Sequence, residues 1–145
     1  MKKKIAWITD STAYIPEDLK GHPDIYVVPL SITFSTGTYE DGVNLDSEKL
    51  YKNIREEKEI PKTSQPSVGK FAELFEKLKE NNDAAIGIHV SSDLSGTMSS
   101  CLAGADLANF PVEVVDSKAM SIAITRLIWI GMKLETQGMS YKEIS

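Results

Sequence analysis

Three short apolar runs constrain this chain more than any other feature: Ile5-Ala6-Trp7-Ile8, Ala84 to Val90 and Val112 to Val115. Each stops abruptly in a polar loop, namely Thr9-Asp10-Ser11-Thr12, Ser91-Ser92-Asp93-Leu94-Ser95-Gly96-Thr97 and Asp116-Ser117. Near-continuous apolar runs of this length describe strands buried on both faces, the situation of a parallel sheet. Parallel neighbours need crossover connections, and helical patterns lie between the runs. Phe71, Leu74, Phe75 and Leu78 recur at helical spacing after Ser67, a helix-capping residue type. A helix rich in small residues is expected from Met98 to Ala108, and a long one from Met120 to Gln137, stopped at Gly138. The expected fold class is therefore α/β, a mostly parallel sheet with helices on both faces.

The remaining segments read less sharply. Pro16 permits a helical turn through Leu19. Ile25 to Leu30 is β-rich but contains Pro29, which places it at a sheet edge with Ile32 to Phe34 as a continuation. Gly37 and Gly42 mark turns on either side of Tyr39-Glu40-Asp41. Asp46 or Ser47 caps a helix with Leu50, Tyr51 and Ile54 on its inner face and Pro61 beyond its end. Ser140-Tyr141-Lys142-Glu143 has capping-box spacing just before the last residues. Residues 1–138 are thus expected to form one domain, and 139–145 to begin a helix leading to a further domain.

Length and composition narrow the classes of function. The 145 residues, 41% hydrophobic, suit one globular domain. A net charge of -5 disfavours nucleic acid as a partner. The single cysteine, Cys101, and two histidines, His22 and His89, supply neither an internal disulfide nor a zinc ligand cluster, which fits a reducing cytoplasm. The basic opening Met1-Lys2-Lys3-Lys4 precedes an apolar run too short for a signal peptide. Ile122 to Met132, interrupted by Arg126, is too short to span a membrane.

In an open parallel sheet, ligands bind beyond the carboxyl ends of the strands, where the polar loops of this chain gather. Ser95-Gly96-Thr97 stands out: Gly96 admits close backbone approach, and the helix start behind it offers free N–H groups to an anion. A small oxyanion would accept bonds from Thr63 and Ser95 and from amides near Gly96. Ser64, Ser92, Thr97, Asp10 and Ser11 would support the pocket. The same serines and threonines serve equally well as helix caps and turn formers. A nucleophilic Ser92 or Ser95 with His89 as base would make an acyl hydrolase or transferase, although the Gly-x-Ser-x-Gly elbow is absent. Asp10, Asp93 and Asp116 would suit magnesium if they converge, or cap loops if they do not. A phosphate-ligand module is a third reading, without a glycine-rich phosphate loop. Cys101 reads as packing, and Met98, Met120, Met132 and Met139 as core or as the lining of an apolar tunnel.

Taken in order, Ile8-Thr9-Asp10-Ser11-Thr12-Ala13, Val28-Pro29-Leu30, Tyr39-Glu40-Asp41-Gly42, Thr63-Ser64-Gln65-Pro66-Ser67, Ser91 to Thr97 and Val115-Asp116-Ser117 resemble the signature blocks of the DegV family. The resemblance covers essentially the whole chain. It implies the N-terminal domain of a two-domain α/β protein of the EDD fold, bacterial and cytoplasmic, that binds a long-chain fatty acid. It further implies that the protein is not itself an enzyme and needs no cofactor. A separate ATP-dependent fatty acid kinase would phosphorylate the bound carboxylate, and the acyl phosphate would enter phospholipid synthesis. Thr63 and Ser95 would hold the carboxylate, with Ser64, Ser92 and Gly96 as neighbours and further contacts from a C-terminal domain. Two stretches depart from the family pattern: Ser121-Ile122-Ala123-Ile124-Thr125 where glycines are usual, and Met98 where an aromatic is common. Bulk at Ala123 and Thr125 bears on the acyl chain length accepted.

Overall fold

The computed structural model describes residues 4–145, so the opening Met1-Lys2-Lys3 lies outside the described residues. Along the chain run β1 (Ile5–Asp10), β2 (Ile25–Val28), β3 (Ser31–Phe34), β4 (Gly37–Glu40), α1 (Ser47–Glu57), β5 (Lys62–Ser64), α2 (Val68–Leu78), β6 (Ala84–His89), α3 (Thr97–Ala108), β7 (Val112–Asp116), α4 (Ile122–Thr136) and α5 (Tyr141–Ile144). The apolar runs form a parallel sheet in the order β2-β1-β6-β7. Its two central strands, β1 and β6, are buried along their whole length.

Alternation along β1 sends its side chains to two different cores. Ala6 and Ile8 meet Phe71, Phe75 and Leu78 of α2 and Cys101 and Ala105 of α3. Ile5 and Trp7 meet Ile124 and Ile128 of α4 on the opposite face. Helices therefore cover both faces, as the apolar runs require. Gly131 is what lets α4 lie over Trp7, since a Cβ there would come within 2.2 Å of the indole ring. The indole Nε1 donates to Glu135 of the same helix at 3.1 Å. Burial pushes the Cys101 thiol up to about 12, which leaves it an inert packing group.

A second, antiparallel sheet, β4-β3-β5, inserts between β2 and α2. It has its own small core of Ile32, Phe34 and Leu45, flanked by Leu50 and Ile54 of α1. Here the structure corrects several expectations. Ile32 to Phe34 does not continue β2, because the chain leaves the first sheet at Pro29, which has no N–H for a ladder. Tyr39 and Glu40 lie on a strand, and so do Thr63 and Ser64, which the sequence suggested were loop residues. Tyr51 is 63% exposed and does not belong to the inner face of α1. Met120 precedes α4, whose start is set by Ser121 at φ 61. At the other end, Glu143 accepts from the Ser140 N–H at 2.8 Å, and Tyr141 and Ile144 of α5 pack against the Trp7 core.

Candidate functional site

The chain passes from β1 to β2 on one side and later returns to place β6 on the other, so strand order switches between β1 and β6. At such a point the connections diverge and leave a crevice beyond the carboxyl ends. The small sheet stands across this crevice and closes it into a cleft of about 810 Å³. Thr12, Val90, Leu94, Ser95 and Gly96 line it from the main sheet and its loops. Leu30, Ile32, Asp41, Thr63, Ser64 and Gln65 line it from the small sheet and the turn after it, and Met120 closes one side. A second cavity of about 350 Å³, at the amino ends of the strands, is walled by Ile5, Pro111, Met139 and Tyr141 and lacks a comparable gathering of hydroxyls.

The loop carrying Ser95 is held from below. Leu94 and Ser95 donate their N–H groups to Ser91 O at 2.9 and 3.2 Å, which makes a tight turn. Ser95 Oγ accepts from the Thr97 N–H at 3.3 Å and lies 2.8 Å from Thr97 Oγ1. Gly96 occupies the N-cap of α3 without a capping side chain, and the first helical bond runs from the Ser100 N–H to Gly96 O at 3.0 Å. Gln65 lies over Gly96: a Cβ there would sit 2.5 Å from Gln65 Oε1, so a side chain at this position would displace the Gln65 amide. Gln65 Nε2 in turn donates to Ser100 Oγ at 3.2 Å and so ties the small sheet to α3.

Thr63, Ser64, Ser95 and Gly96 therefore share one cleft. Asp10, Ser11, Ser92 and Thr97 do not line it and have other partners. Asp10 is fully buried and accepts from the Thr12 and Val90 N–H groups, each at 2.9 Å, and from His89 Nδ1 at 3.2 Å. Burial alone would raise the Asp10 pKa, but the bonds from His89, Thr12 and the Val90 amide outweigh it and hold the carboxyl below its ordinary value. Asp10 thereby ties together Thr12 and Val90, which line the cleft on either side of the switch point. Ser11 Oγ accepts from the Leu30 N–H at 3.0 Å and so fixes the exit from β2. Ser92 Oγ donates to Asp116, whose carboxyl is held well below the usual range by that bond and by Lys118. Thr97 is buried beneath Ser95.

Among the described residues neither Ser92 nor Ser95 bonds to the His89 ring. His89 is 1% exposed, edge-on to Phe71, with Nδ1 on Asp10 and Nε2 without a partner. Ser95 and Ser92 bond instead to Thr97 and Asp116. Asp93 meets Lys118, apart from Asp10 with its own buried partners, and no metal-ligating cluster forms among the described residues. No helix among them is long and apolar enough to cross a membrane. The residues sequence reasoning missed are Leu30, Ile32, Asp41 and Val90, whereas Thr12, Gln65 and Leu94 lay in segments it had singled out without a role of their own and Met120 had been read as core or tunnel lining. For Gln65 the available signal was its place between Ser64 and Pro66, in a block whose other members had already been singled out.

Similarity to known proteins bears on the same cleft. The chain is 39% identical over 120 residues to Protein DegV of Bacillus subtilis, covering 82% of this chain and 43% of that protein. The crystal structure of DegV from Bacillus subtilis, described as a fatty acid binding protein, superposes with a TM-score of 0.90 at 35% identity, over 98% of this chain and 51% of that one. A DegV family protein from Thermus thermophilus, solved for its fatty acid binding, gives a TM-score of 0.86 at 32% identity, over 97% of this chain and 50% of the other. The chain thus spans about half the length of the relatives it matches. A family model described as "Uncharacterised protein, DegV family" matches residues 4–145, and the chain belongs to that family.

Proposed function

We propose that this chain binds a long-chain fatty acid, with Thr63 and Ser95 donating to its carboxylate and Ser64 and Gly96 beside them. The observation that carries this reading is the composition of the cleft. Its hydroxyl and amide donors, Thr63, Ser64, Gln65 and Ser95, share a wall with Leu30, Ile32, Val90, Leu94 and Met120. Polar groups beside apolar side chains in one cleft suit a ligand with a polar head and an apolar body. The fatty acid binding described for the Bacillus subtilis and Thermus thermophilus relatives supports it. Ser95 Oγ accepts from Thr97 N–H, and with Thr97 Oγ1 as the donor of the hydroxyl pair its own proton would turn to a carboxylate.

On this reading the protein is a carrier with no catalytic residue and no cofactor, and it works in the cytoplasm. It presents the acyl carboxylate to a separate ATP-dependent fatty acid kinase, whose acyl phosphate product feeds phospholipid synthesis. Residues 1–138 act as an N-terminal domain, with 139–145 leading toward a C-terminal domain that completes the carboxylate contacts. Calorimetric titration of the intact protein with palmitate and with hexadecanol tests the head-group assignment. Palmitate is expected to bind at least about tenfold more tightly, the worth of a charge-assisted hydrogen bond. Equal affinities would show that the donors do not hold the head.

A further inference from the structure

The small sheet carries Thr63 into the cleft but shares no core with the main sheet. Ile32, Phe34 and Leu45 pack with Tyr39, Leu50 and Ile54, and none of these belongs to the clusters on either face of the main sheet. Its place over the cleft therefore depends on individual ties. Ser11 Oγ accepts from the Leu30 N–H at its entry, and Lys70 pairs with Glu40 on β4, the edge away from β5. At the β5 edge the tie is Gln65, two residues after Thr63. Its Nε2 donates to Ser100 Oγ at 3.2 Å, and its amide lies against the bare Cα of Gly96. Ser100 is in the first turn of α3, buried, and outside the lining of the cleft.

We infer that Gln65 is a positioning residue: by fastening β5 to the first turn of α3 through Ser100, it sets Thr63 and Ser95 at the spacing that one carboxylate requires. This rests on the carboxylate reading of the cleft. Ser95 is already fixed to α3 through Thr97, whereas Thr63 rides on a sheet that packs separately. A donor that must be ordered when the ligand arrives returns less binding energy than one already in place. The head group feels such loosening more than the acyl chain does. Hydrogen bonds weaken steeply with distance and angle, while burial of apolar surface is non-directional.

The test is titration of the intact protein with palmitate and with hexadecanol, in wild type, Gln65→Ala, Ser100→Ala and the double variant. Ser100 does not line the cleft, so Ser100→Ala acts on the ligand by releasing Gln65. Each single substitution is expected to weaken palmitate binding roughly three- to tenfold, the worth of one hydrogen bond, and hexadecanol binding less. The double variant is expected to match either single one, because the same bond is lost in each. Gln65 is exposed and alanine suits a helix interior, so both variants should fold. A loss in Gln65→Ala with none in Ser100→Ala overturns the inference, since Gln65 would then touch the head itself. Unchanged palmitate affinity in both single variants overturns it, as do losses that add in the double variant. Equal losses for palmitate and hexadecanol overturn it too, because the whole cleft would then have loosened. Wild-type protein that binds hexadecanol as tightly as palmitate overturns the carboxylate reading itself, and the inference with it.

Discussion

Removing both hydroxyls together, as Thr63→Val with Ser95→Ala, is expected to weaken palmitate binding to the intact protein by about 2–5 kcal/mol, roughly thirty- to several-thousandfold in Kd. Each bond to an ionised head contributes on the order of 1–3 kcal/mol when shielded from water. The two donors sit on different elements, β5 and the loop before α3, and would converge on one ligand group. Their single effects should fall short of simple addition if a ligand that loses one donor shifts toward the other. Thr63→Val should leave folding nearly untouched because Thr63 is exposed, whereas Ser95→Ala strips the buried Thr97 of its hydroxyl partner and should cost about 1–3 kcal/mol of stability. Valine keeps the shape and β-propensity of threonine in the small sheet. Unchanged affinity in the folded double variant would remove Thr63 and Ser95 from the site.

The second large effect belongs to Asp10. Asp10→Ala is expected to destabilise the domain by about 3–5 kcal/mol in denaturant unfolding, since it strands His89 Nδ1 and two backbone amides in the interior. It also unties Thr12 from Val90, so ligand affinity should fall even in molecules that remain folded. The dependence on pH has a definite sign. The folded carboxyl is held below its ordinary value, so its contribution is fully present above the unfolded-chain pKa of about 4 and is lost as pH falls through the folded value. Asp10→Asn should flatten that part of the acid-unfolding curve. A curve with the wild-type slope below pH ~4 would assign the acid sensitivity to other carboxylates.

The main sheet was legible because its strands are buried on both faces, which leaves unbroken apolar runs such as Ile5 to Ile8. The helices over it were legible from spacing, as with Phe71, Phe75 and Leu78 on α2. The small sheet was not. Its strands are three or four residues long, β5 is exposed throughout, and β4 opens on Gly37, so neither alternation nor length separates them from loops. Tyr51 misled for a related reason, since a one-residue error in the helical face moves a side chain from core to solvent.

For the site, loop composition and family resemblance brought out Thr63, Ser64, Ser95 and Gly96, which the fold gathers into one cleft. Asp10 and Ser92 have the same polar chemistry and also sit at strand ends, but they bond inward or sideways to His89 and Asp116. Nothing in one dimension distinguishes a strand-end carboxylate facing a ligand from one facing the next strand. The Gln65–Gly96 contact joins residues far apart in sequence, so it is visible only once the small sheet is placed against α3.

Fatty acid binding is tested most directly by mass spectrometry of the intact protein purified from a bacterial host, under native and then denaturing conditions. The account predicts a native mass above that of the polypeptide, with the excess released on denaturation as a free long-chain fatty acid. A native mass equal to the bare chain, with no uptake of added palmitate or oleate, would contradict it.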